Sequence, residues 1–357
     1  IWGGKQRIMA TVKFVIYTLV GSLSMLAAIL YLYFKTGQST FSYSGILDIL
    51  TATGSVLTST EQLMLFLGFA LAFAIKVPLF PFHTWLPDAH VQAPTPGSVI
   101  LAGVLLKMGT YGFLRFAIPM FPMAAATMSW PIMLLAVIGI VYGSLNAYAQ
   151  SDIKKLVAYS SVAHLGFVIL GMFALTPEGI SGSIIQMVNH GFSTGALFLC
   201  VGMLYERRHT REMDDFGGIA RVMPVFTVFF LIVTLSSIGL PGTNGFVGEF
   251  LILAGVFREG IASTVGDGAL FGWRNMMLLF GIVATSGIIL GAVYMLSMFR
   301  RVMFGPIIKE ENKGLKDLSG REIAVMLPML ALIIGIGVLP NHFLSKTKVS
   351  VDNYVAK

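Results

Sequence analysis

Three ionisable residues stand where the surrounding chain is most apolar. Lys76 follows "QLMLFLGFALAFAI", Lys107 lies within "GSVILAGVLLKMGTYGFL", and Glu249 follows a break in "SSIGLPGTNGFVGEFLILAGVF". A charge at bilayer depth costs several kcal/mol on insertion scales, so it persists where it faces a partner or a wet cavity. Such groups change protonation when a neighbour moves, because burial favours the neutral form and an opposite charge favours the charged one. Histidines join them: His83 in "IKVPLFPFHTWLPDAH", His164 in "LVAYSSVAHLGFVIL" and His190 in "IIQMVNHGFSTGALF". An imidazole titrates near neutrality and can take a proton on one ring nitrogen while losing it from the other. The chemistry these residues suit is movement of protons along a buried line. The plainer alternatives are a buried ion pair that orients helices, and histidines that are hydrogen-bonded packing residues. Two deep lysines against one deep carboxylate leave an acidic partner unaccounted for, which fits a segment upstream of Ile1.

The elements that position these residues are helices. Of 357 residues 56% are hydrophobic and 11% charged, against about 25% charged in soluble proteins. Mean hydropathy is +0.82. Runs of about 20 apolar residues cross a bilayer. Nine are found, near 8–34, 62–86, 95–120, 127–149, 154–175, 180–205, 219–258 (interrupted), 275–303 and 323–342. Open sheets leave unsatisfied edges in lipid, and a closed barrel needs short alternating segments. The fold class is therefore an all-α polytopic membrane protein.

Two runs are discontinuous. About 14 apolar residues after Glu61 make roughly 21 Å of helix, too short to span, before Pro78, Pro81 and Pro87 intervene. The seventh run breaks at Gly239, Pro241, Gly242 and Gly245, just before Glu249. Paired interrupted spans point to an inverted repeat with sites near the midplane. On that alignment residues 1–120 are the last three spans of a first repeat, 127–303 a second repeat of five spans, and 304–357 a charged loop, final span and tail.

Positive charge is asymmetric. Alternating spans put Lys5, Arg7, Lys13, Lys154, Lys155, Arg207, Arg208, Arg211, Arg221, Arg300, Arg301, Lys309, Lys313, Lys316 and Arg321 on one side. Lys35, Arg258, Arg274, Lys346, Lys348 and Lys357 fall on the other, with Arg115 near its edge. The bias predicts a cytoplasmic, matrix or stromal start at Ile1 and a C-terminus on the opposite face. The opening "IWGGKQRIMATVKF" has no initiator Met and no signal-peptide layout. The net charge of +7 belongs to loops, not to nucleic-acid binding. Cys200 stands alone, which gives no framework for disulfides, iron-sulfur clusters or zinc. There is no HExxH, and no glycine run has a nucleotide-site setting.

The stretches "KVPLFPFHTWLPDAHVQAPTPGSVILAGVLLKMGTYGFLRF", "SDIKKLVAYSSVAHLGFVILG", "QMVNHGFSTGALFLCVGMLYERRHTREMDDFGG" and "LSSIGLPGTNGFVGEFLIL" resemble the antiporter-like membrane subunits of proton-pumping NADH:quinone oxidoreductase, respiratory complex I. The similarity runs along nearly all of the chain, with "YERRHTRE" pointing to one sister group. The resemblance implies fourteen spans and a central polar axis. By motif Lys76 matches the lysine of the family's broken seventh span, Lys107 that of the eighth, His164 the tenth-span histidine and Glu249 the acid of the broken twelfth. His83 and His190 match recurrent positions and are candidate relay or supporting residues. The family's fifth-span Glu, the expected partner of Lys76, has no match here.

The resemblance further implies a proton-translocating subunit with no redox centre, catalytic residue, metal or cofactor of its own. NADH, FMN, iron-sulfur clusters and quinone would belong to partner subunits. The partners would be other membrane-arm antiporter-like subunits, the electron-transfer arm and the lipid bilayer, and the location an energy-transducing membrane such as the bacterial inner membrane. Two rivals stand beside this reading: a subunit of a multisubunit Na+(K+)/H+ antiporter, and a membrane haem protein with His164 and His190 as axial ligands.

Overall fold

The computed structural model describes residues 2–37, 40–52, 56–262 and 272–355. Ile1 and Lys357, which the charge pattern assigns to opposite faces, lie outside the described residues. The helices are α1 (Arg7–Lys35), α2 (Tyr43–Ala52), α3 (Ser59–Lys76), α4 (Trp85–Gln92), α5 (Thr95–Met120), α6 (Pro122–Tyr148), α7 (Ile153–Phe173), α8 (Pro177–Arg208), α9 (Pro224–Ile238), α10 (Asn244–Ala262), α11 (Trp273–Met303), α12 (Gly320–Val338) and α13 (Pro340–Val355). Eight are long and apolar enough to cross a membrane: α1, α3, α5, α6, α7, α8, α11 and α12, with α9 a shorter apolar helix. Each expected span has its helix, and the chain is an integral membrane protein.

Helix α7 is the centre of the bundle. Its most apolar window is 94% buried, against 17% for α1 at the edge, so α7 packs on protein all round. The apolar residues that α1 leaves exposed, among them Val12, Ile16, Leu19 and Leu23, form a face suited to hydrocarbon. Helix starts carry side-chain caps. Thr58 and Glu61 make a reciprocal capping box on α3, Ser319 and Glu322 another on α12, and Asp152 accepts from the backbone of Lys154 and Lys155 on α7. Each satisfies donors that a helix start leaves unpaired.

Both predicted breaks are present. α3 ends at Lys76, and the freed backbone is satisfied within the protein: Trp85 Nε1 donates to the carbonyl of Ile75 at 3.0 Å, and the Leu79 amide to that of Ala74 at 2.8 Å. Irregular backbone at membrane depth needs such cover. α9 ends at Gly239, whose φ of +79° is left-handed. Glycine alone takes that conformation freely.

Three features depart from the sequence reading. The connection after α1 contains α2. The tail is helix α13, which folds back so that Val351 is buried and Tyr354 Oη donates to the carbonyl of Leu114 at 2.9 Å. The charged segment from Lys309 to Arg321, read from sequence as solvated or touching a partner subunit, also caps this chain itself: Asp317 accepts from the amides of Val225 and Phe226 at the start of α9, at 2.8 and 3.0 Å.

Candidate functional site

Helix α8 carries a buried polar stripe. Gln186, Asn189, His190, Ser193 and Thr194 are all at most 5% exposed, and their spacing of three and four residues puts them on one face. Small residues let neighbouring backbones come close to that face. A Cβ at Gly191 would stand 3.0 Å from the Gly103 carbonyl on α5, and one at Gly182 would stand 2.7 Å from the Ile252 amide on α10. Close approach of this kind is how small residues join membrane helices.

Beside the Gly103–Gly191 contact α5 loosens into π-helical turns at Leu101–Leu105 and Phe113–Ala117, with Lys107 between them. Wider turns of this kind are frequent at functional sites. Lys107 Nζ donates to the Ala102 carbonyl at 2.5 Å and lies 2.6 Å from Nδ1 of His190. The lysine therefore meets an imidazole.

The carboxylate sits at the other end of a line of histidines. His190 and His164 rings are 6.0 Å apart between centroids and tilted by 66°. His164 Nδ1 is 2.9 Å from Glu249 Oε1. Gln186 Nε2 donates to the same oxygen at 3.2 Å, and Ser237 Oγ is 3.4 Å from His164 Nε2. The order is Lys107, His190, His164, Glu249. Its outer links are hydrogen bonds, and its middle step is a tilted contact between the two rings.

The second helix break is braced against α8. Asn189 Nδ2 donates to the Asn244 carbonyl at 2.6 Å, while Ser236 and Ser193 hydroxyls donate to Asn244 Oδ1 at 2.6 and 3.2 Å. These residues fix where α10 begins and hence where Glu249 stands. A small space of about 10 Å³ lined by His164, Gln186, Asn189, His190, Ser193, Thr194, Ser236 and Ser237 lies on this side. Another of about 10 Å³ lies between Ser144, His164, Ser237, Glu249 and Tyr294.

Two sequence-selected residues stand apart. Lys76 closes α3 with Nζ 5.6 Å from the centre of the Phe14 ring, a cation–π contact, and no carboxylate is paired with it among the described residues. It packs against Gly109 on α5, two residues beyond Lys107, where a Cβ would stand 3.0 Å from Cβ of Lys76. His83 is buried at the α3–α4 break between Phe80 and Tyr142, with ring centroids 5.6 and 5.2 Å away. It does not touch the line. Gln186, Asn189, Ser193, Ser236, Ser237 and Asn244 were not singled out from sequence, although the stripe on α8 was there to be found by helical spacing. Among the described residues no three His, Cys, Asp or Glu side chains converge as a metal site.

Comparison with known proteins shows the family. The family described as NADH:quinone oxidoreductase/Mrp antiporter, transmembrane, matches residues 1–268. NADH-quinone oxidoreductase subunit M of Rhodobacter capsulatus is 48% identical over 96% of this chain, and the chain spans 64% of that relative's length. NADH-ubiquinone oxidoreductase chain 4 of Marchantia polymorpha is 46% identical over 99% of the chain and 67% of the relative. Among solved structures, a chain of respiratory complex I from Thermus thermophilus with bound NADH superposes with a TM-score of 0.87 at 36% identity, over 100% of this chain and 70% of that one. A chain of the Mrp complex from Dietzia has a TM-score of 0.75 at 18% identity, over 98% and 68%, a likeness of fold alone.

Proposed function

The chain belongs to the NADH:quinone oxidoreductase/Mrp antiporter transmembrane family, and from that premise we propose that it is a proton-translocating membrane subunit, of the subunit M or chain 4 type, of an NADH:quinone oxidoreductase. The observation that carries the reading is the buried line from Lys107 to Glu249, with its 2.6 Å and 2.9 Å links. Similarity to proteins named subunit M over 96% of the chain supports the choice of subunit.

The line works by handing over protons. Lys107 Nζ gives a proton to His190 Nδ1, and the ring then releases one from Nε2. His164 takes it and passes one from Nδ1 to the Glu249 carboxylate, the terminal site of this segment. Lys76 feeds Lys107 from the first broken helix, where it answers a charge supplied from outside the described residues. His83 supports the α3–α4 break. Residues 1–120 are the last three spans of the first repeat and 127–303 the second repeat, with 304–357 the charged loop, final span and tail.

Electron transfer takes place elsewhere, in partner subunits that hold NADH, FMN, iron-sulfur clusters and quinone. Neighbouring antiporter-like subunits and the electron-transfer arm complete the assembly. The membrane is an energy-transducing one such as the bacterial inner membrane, and the charge bias puts the start of the chain on its cytoplasmic side.

The test is the NADH-driven pH gradient in sealed vesicles, carried out on the assembled complex with Lys107→Ala in the full-length subunit. Loss of a general acid–base partner of this kind costs about a hundredfold in favourable cases, so gradient and coupled turnover should fall together. An unchanged gradient at unchanged turnover would reduce Lys107 to a packing residue.

A further inference from the structure

Two tyrosines from distant parts of the chain hold neighbouring carbonyls in one turn of α5. Tyr354 Oη on α13 donates to the Leu114 carbonyl at 2.9 Å, and Tyr43 Oη on α2 to the Arg115 carbonyl at 2.8 Å. Both carbonyls lie in the π-helical turn Phe113–Ala117. The local sequence explains why they accept from outside the helix. A carbonyl in an α-helix accepts from the amide four residues on, and in a π turn from the fifth. The Ile118 amide bonds the Phe113 carbonyl, five residues back, and so is taken from Leu114. The next residue is Pro119, which has no N–H. It offers nothing to Leu114 in the wide form of the turn, and nothing to Arg115 in the tight one.

The two bonds differ in what they compete with. Tightening the turn to α would return the Ile118 amide to Leu114, so that amide and the Tyr354 hydroxyl are rivals for one carbonyl. Pro119 leaves Arg115 without an α-spaced donor, so Tyr43 has no such rival. The form of the turn matters to Lys107, which lies two turns away in the stretch Leu106–Gly112. One extra residue in a turn shifts the side chains on its two sides relative to each other by about 100°. Ile118, Met120 and Phe121, on the far side, are fixed in the core, so tightening would swing the stretch that carries Lys107. As it stands, that stretch sets Gly109 and Gly112 against α3, where a Cβ would meet the Phe73 carbonyl at 2.8 Å and the Phe73 ring. The same setting brings Lys107 Nζ to 2.6 Å from His190 Nδ1.

We propose that Tyr354 is a positioning residue for Lys107: its hydroxyl occupies the Leu114 carbonyl in place of the Ile118 amide, keeps the turn wide, and so aims Lys107 at His190. The inference rests on the proton-translocating reading above and adds to it what sets the direction of the lysine. The hydroxyl comes from 240 residues further along the chain. It is held by the packing of α13, whose Val351 is buried and whose Phe343 and Leu344 sit against Ile185 of α8 and Val247 of α10. Helix α13 thus acts on the buried line through one hydrogen bond. Tyr43 fastens the neighbouring carbonyl, with its ring 4.8 Å from the Arg115 guanidinium and 5.2 Å from the Phe116 ring, and does not choose between the two forms.

The test uses the assembled complex with Tyr354→Phe, which keeps the ring and its packing and removes the one hydroxyl. Coupled NADH:quinone turnover and the pH gradient should fall by about tenfold or more, as misplacement of a reacting group by about 1 Å can cost, while NADH oxidation by ferricyanide stays at the wild-type rate. The ratio of rates in H2O and D2O should rise, because transfer from Lys107 has become limiting. A fall in turnover at an unchanged ratio would make Tyr354 a packing residue and overturn the proposal. Tyr43→Phe should stay within about twofold, since a single hydrogen bond contributes little net. Equal losses from the two tyrosines would overturn the proposal too. Lys107→Ala separates the inference from its premise: lowered pumping there with wild-type pumping in Tyr354→Phe would sink this inference and leave the line standing, whereas wild-type pumping in both would sink both. Should Tyr354→Phe fail to assemble, a density map of the wild-type complex decides the matter. A Leu114 carbonyl bonded by Tyr354 Oη is expected, and one bonded by the Ile118 amide with the tyrosine turned away would overturn the proposal.

Discussion

Lys107 has a base within reach of its proton, and that sets it apart from a lysine locked in an ion pair. The base is His190, 83 residues away in sequence, so no local pattern could have paired them. Lys76, Lys107, His164 and Glu249 were legible because a charge or an imidazole in an apolar run is conspicuous. Gln186, Asn189, Ser193 and Asn244 were not, because an uncharged polar residue in a membrane helix is ordinary taken singly. Their meaning comes from shared partners: Gln186 on Glu249, and Asn189 and Ser193 on Asn244. His83 and His190 looked alike in sequence and differ in place. His190→Phe should lower coupled turnover and gradient by about tenfold or more. His83→Phe, set between Phe80 and Tyr142, should stay within about twofold, since an aromatic ring of similar volume is well tolerated. Equal losses from the two, in the same vesicle assay, would contradict the order of the line.

At the scale of elements, the two broken helices could be read from proline and glycine because those residues act through the backbone, whatever the surrounding fold. The π-helical turns around Lys107 and the return of α13 could not, since both depend on what packs against them. The contact of α8 with α10 decides how far Glu249 stands from His164, and glycine holds it close: a Cβ at Gly248 would stand 2.8 Å from that of Gln186. Gly182→Val puts a branched side chain into backbone on the same contact. Overpacking of this sort costs about 1–3 kcal/mol. The expected outcome is a lower melting temperature of the purified complex together with loss of pumping, whereas an unshifted melting curve would show that the two helices have room to part.

For the whole molecule, composition and order lead to the expectation that spans alternate and that lysine and arginine gather on one face. Ion pairs tie distant segments together: Lys13 to Asp88 at 2.7 Å and Arg207 to Glu322 at 2.7 Å. Orientation is tested by labelling. Cys200 is buried, so a membrane-impermeant thiol reagent reads introduced cysteines. Lys313→Cys should react from the cytoplasmic side and Lys346→Cys from the opposite side. Reaction of both from one side would overturn the topology. Above all, the molecule is a buried polar line held between two helix breaks, and Glu249 is its end. The measurement that reaches this most directly is the NADH-driven pH gradient of sealed vesicles carrying Glu249→Gln in the assembled complex, with electron entry to ferricyanide as the check on integrity. The line requires a collapsed gradient and slowed quinone reduction at an unchanged ferricyanide rate. A gradient and quinone reduction rate equal to those of the wild type would mean that protons do not pass through Glu249.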